Sequence, residues 1–325
     1  MTVLVTGGSG VLGLHTCRAL AEEGEDVVSF STSGAPATAD SVLGDHRARV
    51  RFVQGDIRDF GQLYEVARRL DAKGLVHTAA LTGDAQARAK PLEVFAVNVG
   101  GTANALEVAR LIGMRRVVYI SSASEYGRRE DLQPIKEDEV NIERMYPETK
   151  FLGHSLGQRY HQVYGLDVVT VRVSSVYGPN TRFNPLRRLV GNTLIAHMCR
   201  AAARGEAVKL ESGGDYPRDW TYAADTARGV ALAYRAETLP HRVYNVASGR
   251  SHTIGEVAET IRRIEPGASI EVGPGRWDDD PFQAGNLRGP LDTTRARMEL
   301  GFEPRFSLED GLRAYIEWWR HAGQD

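Results

Sequence analysis

The chain has 325 residues, of which 42% are apolar and 25% charged, and its net charge is −2. That balance belongs to an ordinary water-soluble globule large enough for one big domain or two coupled ones. It excludes a general polyanion-binding field, so nucleic acid is not expected as a partner. The start, MTVLVTGG, lacks a basic segment ahead of a long apolar one, and no run reaches the roughly 18 apolar residues of a membrane span, so a cytoplasmic protein is expected. Cys17 and Cys199 show neither a disulfide framework nor metal-ligand spacing, and no metal is expected. Two buried thiols in a reducing compartment are the simplest reading.

In chain order, short β-branched runs alternate with helical patterns. VLVT (3–6) precedes a helix over about 11–23; VVSF (27–30) and VRFV (50–53) lead to a helix over about 60–70. LVHT (75–78) precedes a long amphipathic pattern from Pro91 to Gly113. VVYIS (117–121), a helix from near Tyr146, and DVVTVRV (167–173) complete the series. The runs are continuously apolar rather than alternating, as strands buried on both faces require, and the βα rhythm predicts a parallel, doubly wound α/β sheet. After Ser174 the rhythm breaks. A helix is predicted over about 194–204, one more sheet strand at VYNVAS (243–248), and a helix over 253–264 whose Thr253 and Glu256 form a capping-box pair. A last capped helix begins at SLEDGLRAYIEWW. The expected division is a Rossmann-type unit of residues 1–174 plus about 219–249, and a smaller interwoven lobe of about 175–218 and 250–325.

TGGSGVLG (6–13) stands where the first strand turns into the first helix. Glycines at 7, 10 and 13 permit a tight turn, let a pyrophosphate approach backbone N–H groups, and let helix pack on strand, so a dinucleotide is expected there. The second strand ends in VVSFSTSG without the acid that would grip the ribose of NAD, and without an arginine for the 2′-phosphate of NADP. Ser31, Thr32 and Ser33 offer hydroxyls that suit either. Asp56, after the third strand, is either a helix cap or a contact to the adenine edge.

YPETK (146–150) places Tyr146 and Lys150 on one helical face. A phenol near pKa 10 is a poor base at neutral pH, and a neighbouring ammonium favours its phenolate. Ser122 ends a strand about two dozen residues upstream, and Pro147 suits a first helical turn.

Together with GDIRD, HTAA (77–80), NVGGT (98–102), SSASEYG, VYGP (176–179), RDWTY (218–222), YNVASG (244–249) and LDTTRAR (291–297), these motifs fall in an order that resembles the extended short-chain dehydrogenase/reductase family, in its nucleotide-sugar epimerase and dehydratase group. The resemblance implies a hydride-transfer enzyme with catalytic Ser122, Tyr146 and Lys150. It implies cofactor contacts from Gly7, Gly10, Val11, Leu12, Gly13, Ser31, Thr32, Ser33, Asp56, Ile57, Ala79, Ala80, Tyr146, Lys150 and Val173. Substrate contacts would come from Thr82, Ser124, Ser175, Arg218 and Arg276, the two arginines clamping a diphosphate with their planar forks. Asn98 would be a buried structural amide. For Arg218 an ion pair with Asp219 or Asp215 is the alternative, and for Arg276 one with Asp278–Asp280.

Two departures bear on the reaction. Dehydratases of the group carry Thr-Asp-Glu at the strand end where this chain has Ser122, Ala123 and Ser124, and decarboxylases carry a Glu where Ser124 stands. Glu125 comes one residue late, which in extended backbone turns its side chain to the other side. In VRVSSVYGP (171–179), Ser175 replaces an Asn that commonly meets substrate, and the basic TRFNPLRR (181–188) would receive an anionic group or is a solvated charge run. The expected activity is C4 epimerisation of a nucleotide sugar with NAD, NADP remaining open, in a homodimer built on the helices at about 91–113 and 146–164. A net dehydrogenase or reductase is the alternative, and a non-catalytic cofactor-binding sensor a third.

Overall fold

The computed structural model describes residues 1–181, 192–277 and 286–321. The first half alternates β1 (Thr2–Thr6), α1 (Val11–Glu22), β2 (Asp26–Ser31), α2 (Ala39–Leu43), β3 (Val50–Gln54), α3 (Phe60–Arg69), β4 (Ala72–His77), α4 (Asp84–Ala89), α5 (Pro91–Phe95), α6 (Gly101–Ile112), β5 (Val117–Ser122), α7 (Met145–Tyr164) and β6 (Val168–Val173). The second half adds β7 (Ser175–Tyr177), α8 (Asn192–Arg204), β8 (Val208–Leu210), β9 (Pro217–Tyr222), α9 (Ala223–Arg235) and β10 (Val243–Val246). It closes with β11 (Ser251–Thr253), α10 (Ile254–Ile264), β12 (Ile270–Val272), α11 (Thr294–Leu300) and α12 (Leu308–His321).

Seven strands form one parallel sheet in the order β10-β6-β5-β4-β1-β2-β3. Val3, Leu4, Val5, Leu75, Val76, Val118 and Val171 are fully enclosed, so helices cover both faces, which is why these strands read as unbroken apolar runs. The strand order reverses between β1 and β4, and the crevice beyond their carboxyl ends is where such a sheet takes its ligand. Crossovers from β4 to β5 and from β5 to β6 carry α6 and α7 back across the sheet and bring the start of α7 to the end of β5.

The pattern from Pro91 to Gly113 is helical throughout, with a π-helical turn over Ala96–Gly100 between α5 and α6, and it ends at Gly113 in left-handed conformation. The π turn points Asn98 into the interior. A whole helix, α9, escapes the periodic reading because its packing face is built from small residues. Gly229 is needed there, since a Cβ would press on Val246 and Phe302.

The remaining elements gather around a second core that includes Leu194, Trp220, Ile254, Ile261, Leu312 and Tyr315. Two small sheets, β11-β9-β7 and β12-β8, edge it. RDWTY is thus a strand of the small sheet, while β10 returns to the central one beside β6. The capping box of α10 is present, with Thr253 Oγ1 accepting from the Glu256 amide and the Glu256 carboxylate accepting from the Thr253 amide. Ser307 and Asp310 cap α12 in the same reciprocal way. Among the described residues no helix is long and apolar enough to cross a membrane, and no three His, Cys, Asp or Glu gather to hold a metal.

Candidate active site

The chain leaves β1 at Gly7 with φ of +69°, a conformation glycine adopts without strain. Gly7 N–H donates to the Phe30 carbonyl at 2.8 Å, and Gly10 N–H to the Gly7 carbonyl at 2.9 Å. A Cβ on Gly7 would lie 2.7 Å from the Ala79 backbone, and one on Gly13 would overlap the Gly7 carbonyl. Loop, helix and the chain after β4 are therefore pressed together at Ala79 as only glycines allow. Gly10 is the N-cap of α1 without a side-chain cap, and no acid stands in the first turn around Val11 and Leu12. The helix thus presents N–H groups and its positive end, which fits the pyrophosphate of a dinucleotide.

Along the crevice, Ser31 Oγ hydrogen-bonds Ser9 Oγ at 2.6 Å, the Thr32 carbonyl accepts from Gln54, and Ser33 is exposed. Asp56 is held by Arg58 at 2.5 Å, and that guanidinium keeps its carboxyl below the usual range. The helix-cap alternative for Asp56 is replaced: Asp59 caps α3, accepting from the Gln62 amide at 3.0 Å. Ile57 is buried where Gly101 leaves room for it.

The expected catalytic residues Ser122, Tyr146 and Lys150 sit where β5 and α7 meet. Ser122, paired with Val173 across the sheet, caps a single 3-10 turn over Ala123–Tyr126. It accepts from the Ser124 amide at 3.1 Å and from Ser124 Oγ at 2.9 Å, and its hydroxyl acts to lower the pKa of the Tyr146 phenol. With Ser124 donating to it, Ser122 keeps its own proton for another acceptor. The start of α7 is pinned by Asp84 and by Asn98. Asp84 accepts from the Tyr146 amide at 3.2 Å and from Arg144 at 2.6 Å. Thr149 donates to the Tyr146 carbonyl, and Asn98 donates to Thr149 while exchanging two hydrogen bonds with Leu81. Asn98 thus ties the loop after β4 to the helix that carries Tyr146. Thr82, next along that loop, is exposed.

Lys150 is buried one turn beyond Tyr146, and its Nζ lies 4.5 Å from the centre of the Tyr119 ring. Burial lowers its pKa to about 8, opposed by the Glu125 charge. Burial pushes the Tyr146 phenol up to about 12, with the Ser122 hydrogen bond acting the other way. The sequence predicts a phenol lowered by the lysine. In the fold the lysine is drawn onto the face of Tyr119, and desolvation of the phenol dominates.

Glu125 is completely enclosed, and its charge acts on both Tyr146 and Lys150. Its carboxylate accepts from Arg172 Nε at 2.8 Å and from Ser121 Oγ. Arg172 also donates to Tyr126 Oη at 3.1 Å and to the Glu137 carbonyl. A carboxylate locked in this way is structural, and Ser122, Ala123 and Ser124 place hydroxyls and a methyl, but no acid, at the strand end.

On the substrate side, Arg218 and Ser175 are brought together: Arg218 Nη1 donates to Ser175 Oγ at 3.2 Å, and its guanidinium lies over Tyr216 and Trp220. Burial lowers its pKa. Asp219 holds the Ser248, Gly249 and Leu291 amides, and Asp215 the Gly275 amide. Arg276 is exposed beyond β12, and its neighbour Trp277 packs on Tyr216. Asp278–Asp280 and most of TRFNPLRR lie outside the described residues. Three groups escape the motif reading: Arg144, Asn286 and Arg288. Arg144 stands in view two residues before Tyr146, while the others carry no local signal. A separate cavity of about 690 Å³, bounded by Tyr177, Trp220, Tyr222, His252 and Phe306, has none of Ser122, Tyr146 or Lys150 in its wall.

Residues 3–247 match the model of the NAD dependent epimerase/dehydratase family. The chain is 30% identical to a UDP-glucose 4-epimerase of Streptomyces lividans, over 91% of this chain and 92% of that protein. It is also 30% identical to a dTDP-glucose 4,6-dehydratase of Streptomyces niveus, over 98% and 93%. Among solved structures, a Thermus thermophilus UDP-glucose 4-epimerase in complex with NAD superposes with a TM-score of 0.81 at 26% identity, covering 99% of this chain and all of that one.

Proposed function

Because this chain belongs to the NAD dependent epimerase/dehydratase family, we propose that it inverts C4 of a nucleotide sugar through a transient 4-keto sugar. The observation that carries this is a strand end at residues 122–124 that offers the Ser122 and Ser124 hydroxyls and no acid. NAD held by the Gly7–Gly13 loop, Ser31, Ala79, Ala80 and Lys150 would supply hydride acceptance and return at C4, and a positive ring charge when oxidised.

The chain's own groups handle the proton. Tyr146 takes the C4 hydroxyl proton as the carbonyl forms and gives it back as the carbonyl is reduced. Ser122, donating to the phenolate, stabilises the charged form that burial opposes. The buried Lys150 ammonium favours the same form. Ser124 orients Ser122. Loss of water from C5 and C6 needs an acid and a base beside them; Glu125, bound to Arg172, is in no position to serve, so the keto sugar is re-reduced rather than dehydrated. Arg218 and Arg276 are the diphosphate contacts in this reading, with Thr82, Ser124 and Ser175 toward the sugar and Val173 toward the cofactor. A homodimer through α6 and α7, whose Leu111, Val163 and Tyr164 are exposed, belongs to it as well; sedimentation velocity tests that part.

The test of the activity is a panel of UDP- and dTDP-sugars followed by NMR with purified protein and NAD. C4 epimers interconvert without net NADH. A panel in which no C4 pair interconverts overturns the proposal. Steady NADH formation instead would establish the net dehydrogenase, the reading favoured by the hydroxyl-only Ser31–Ser33 stretch.

A further inference from the structure

Helix α7 begins without a cap of its own. Its N-cap position is Arg144, in extended conformation, and the Arg144 side chain makes no capping bond. Among the residues that open the helix, Pro147 has no N–H, and Glu148 N–H reaches the Arg144 carbonyl at 3.1 Å. Tyr146 N–H is taken by Asp84 Oδ1 at 3.2 Å, from 62 residues earlier in the chain. Asp84 Oδ2 accepts from Arg144 Nη1 at 2.6 Å, and the two side chains are only 4% and 10% exposed. Each carboxylate oxygen thus holds one residue of the helix start, and the charge is matched within the pair.

Asp84 closes the loop that follows β4. The same loop presses Ala79 against the glycine turn and holds Leu81 through Asn98. A Ser or Asp at the N-cap position would satisfy the Tyr146 amide equally well, but it would leave the helix indifferent to where that loop lies. Asp84 makes the backbone of Tyr146 depend on it. The titratable groups packed about the Tyr146 phenol are Glu125 in the turn after β5, Tyr119 on β5, Lys150 one turn on in α7, and Asp84 with Arg144. Arg88 of α4 is exposed, and Glu93 of α5 pairs with Lys90. The charges of Glu125 and Asp84 both act to raise the pKa of the phenol.

Resting on Tyr146 as the proton-moving group of the reading above, we propose that Asp84 is a positioning residue for Tyr146, with Arg144 as its counter-charge. It caps α7 from the loop after β4, and so holds the phenol in register with the cofactor and sugar contacts assigned to that loop. A misplacement of about 1 Å at such a group costs about a hundredfold in rate.

The experiment compares Asp84→Ala, Asp84→Asn and Arg144→Gln with native protein, loaded with NAD, in kcat, KM and the pH profile of kcat. Turnover is read as C4 inversion or as NADH formation, since Tyr146 moves the proton in either. Asp84→Ala lowers kcat by about 10- to 100-fold with little change in KM, and Asp84→Asn, which keeps an acceptor for the Tyr146 amide, recovers much of the loss. The two charge changes move the pH profile in opposite directions. Asp84→Asn removes a negative charge, favours the phenolate and carries the rise of kcat to lower pH; Arg144→Gln leaves the carboxylate uncompensated and carries it to higher pH, each by about half a pH unit or more. Glu125 and Lys150 are the same in every variant, so the difference reports the Asp84–Arg144 pair. Native kcat in Asp84→Ala overturns the proposal, and so do profiles that shift together or stay in place. If Asp84→Ala does not fold, the opposite shifts of the other two variants decide. If no sugar turns over, the epimerase reading falls and hydrogen exchange at the start of α7, read by mass spectrometry, decides this one. Exchange there is about tenfold faster in Asp84→Ala than in native protein, and less so in Asp84→Asn; equal exchange in all three overturns it.

Discussion

Replacing Glu125 by Gln tests whether the most conspicuous acid near the site is structural. The carboxylate has no exposed surface and its partner Arg172 almost none. Gln keeps the shape but removes the charge, leaving Arg172 buried with Tyr126 Oη and the Glu137 carbonyl as remaining acceptors. Breaking one side of a buried pair costs about 3–5 kcal/mol. With an unfolding entropy of about 2 cal/mol/K per residue over this chain, that lowers Tm by roughly 4–7 °C. Removing both charges in Glu125→Leu/Arg172→Leu costs less than the two single changes together, because neither charge is then stranded. The assay is thermal unfolding by circular dichroism, with kcat measured well below the transition. Glu125→Gln is expected to lose stability while kcat stays within about tenfold of native, since the carboxylate is bound to Arg172 and reaches Tyr146 and Lys150 only through its charge. An unchanged Tm with kcat down by about a thousandfold would refute the reasoning and put Glu125 in the chemistry.

Tyr146→Phe should lower kcat by about 10²–10⁴ while substrate binding, read by calorimetry, persists; Ser122→Ala, which leaves the phenol in place but removes the acceptor of the Ser124 amide and hydroxyl, should do less. Gly13→Ala places a methyl against the Gly7 carbonyl and the Gly8 backbone, so NAD binding read by fluorescence should be lost. The acid limb of stability is set by buried histidines: His15 and His154 are lowered to about 4 and His77 to about 3, chiefly by burial. They are neutral in the fold but protonate near 6.5 once unfolded, so unfolding takes up protons and stability falls as pH drops from 6.5 towards 3–4. Each pH unit between the unfolded and folded values is worth about 1.4 kcal/mol, so each histidine contributes about 3–5 kcal/mol, and together they rival a typical domain's whole stability. Melts between pH 7 and 4 check this, and a flat Tm over that range would contradict it.

The sequence by itself determined what short-range physics controls. Continuous apolar runs forced strands buried on both faces, the glycine turn defined the crevice, and the four-residue spacing of Tyr146 and Lys150 put them on one side of α7. The Thr253–Glu256 box started its helix as written. Only the tertiary structure decided what each polar group meets, because those partners are far apart in the chain. Glu125, in the turn after β5, finds Arg172 on the adjacent strand β6, a π turn that no periodicity announces goes with Asn98 in the interior, and Lys150 lies over the Tyr119 ring. Arg144 and Arg288 meet on Asn286 because the segment before α11 folds back over the start of α7. Burial then sets their charges: a local pattern can name an ionisable group, but its pKa and its role depend on how much water the rest of the fold leaves around it.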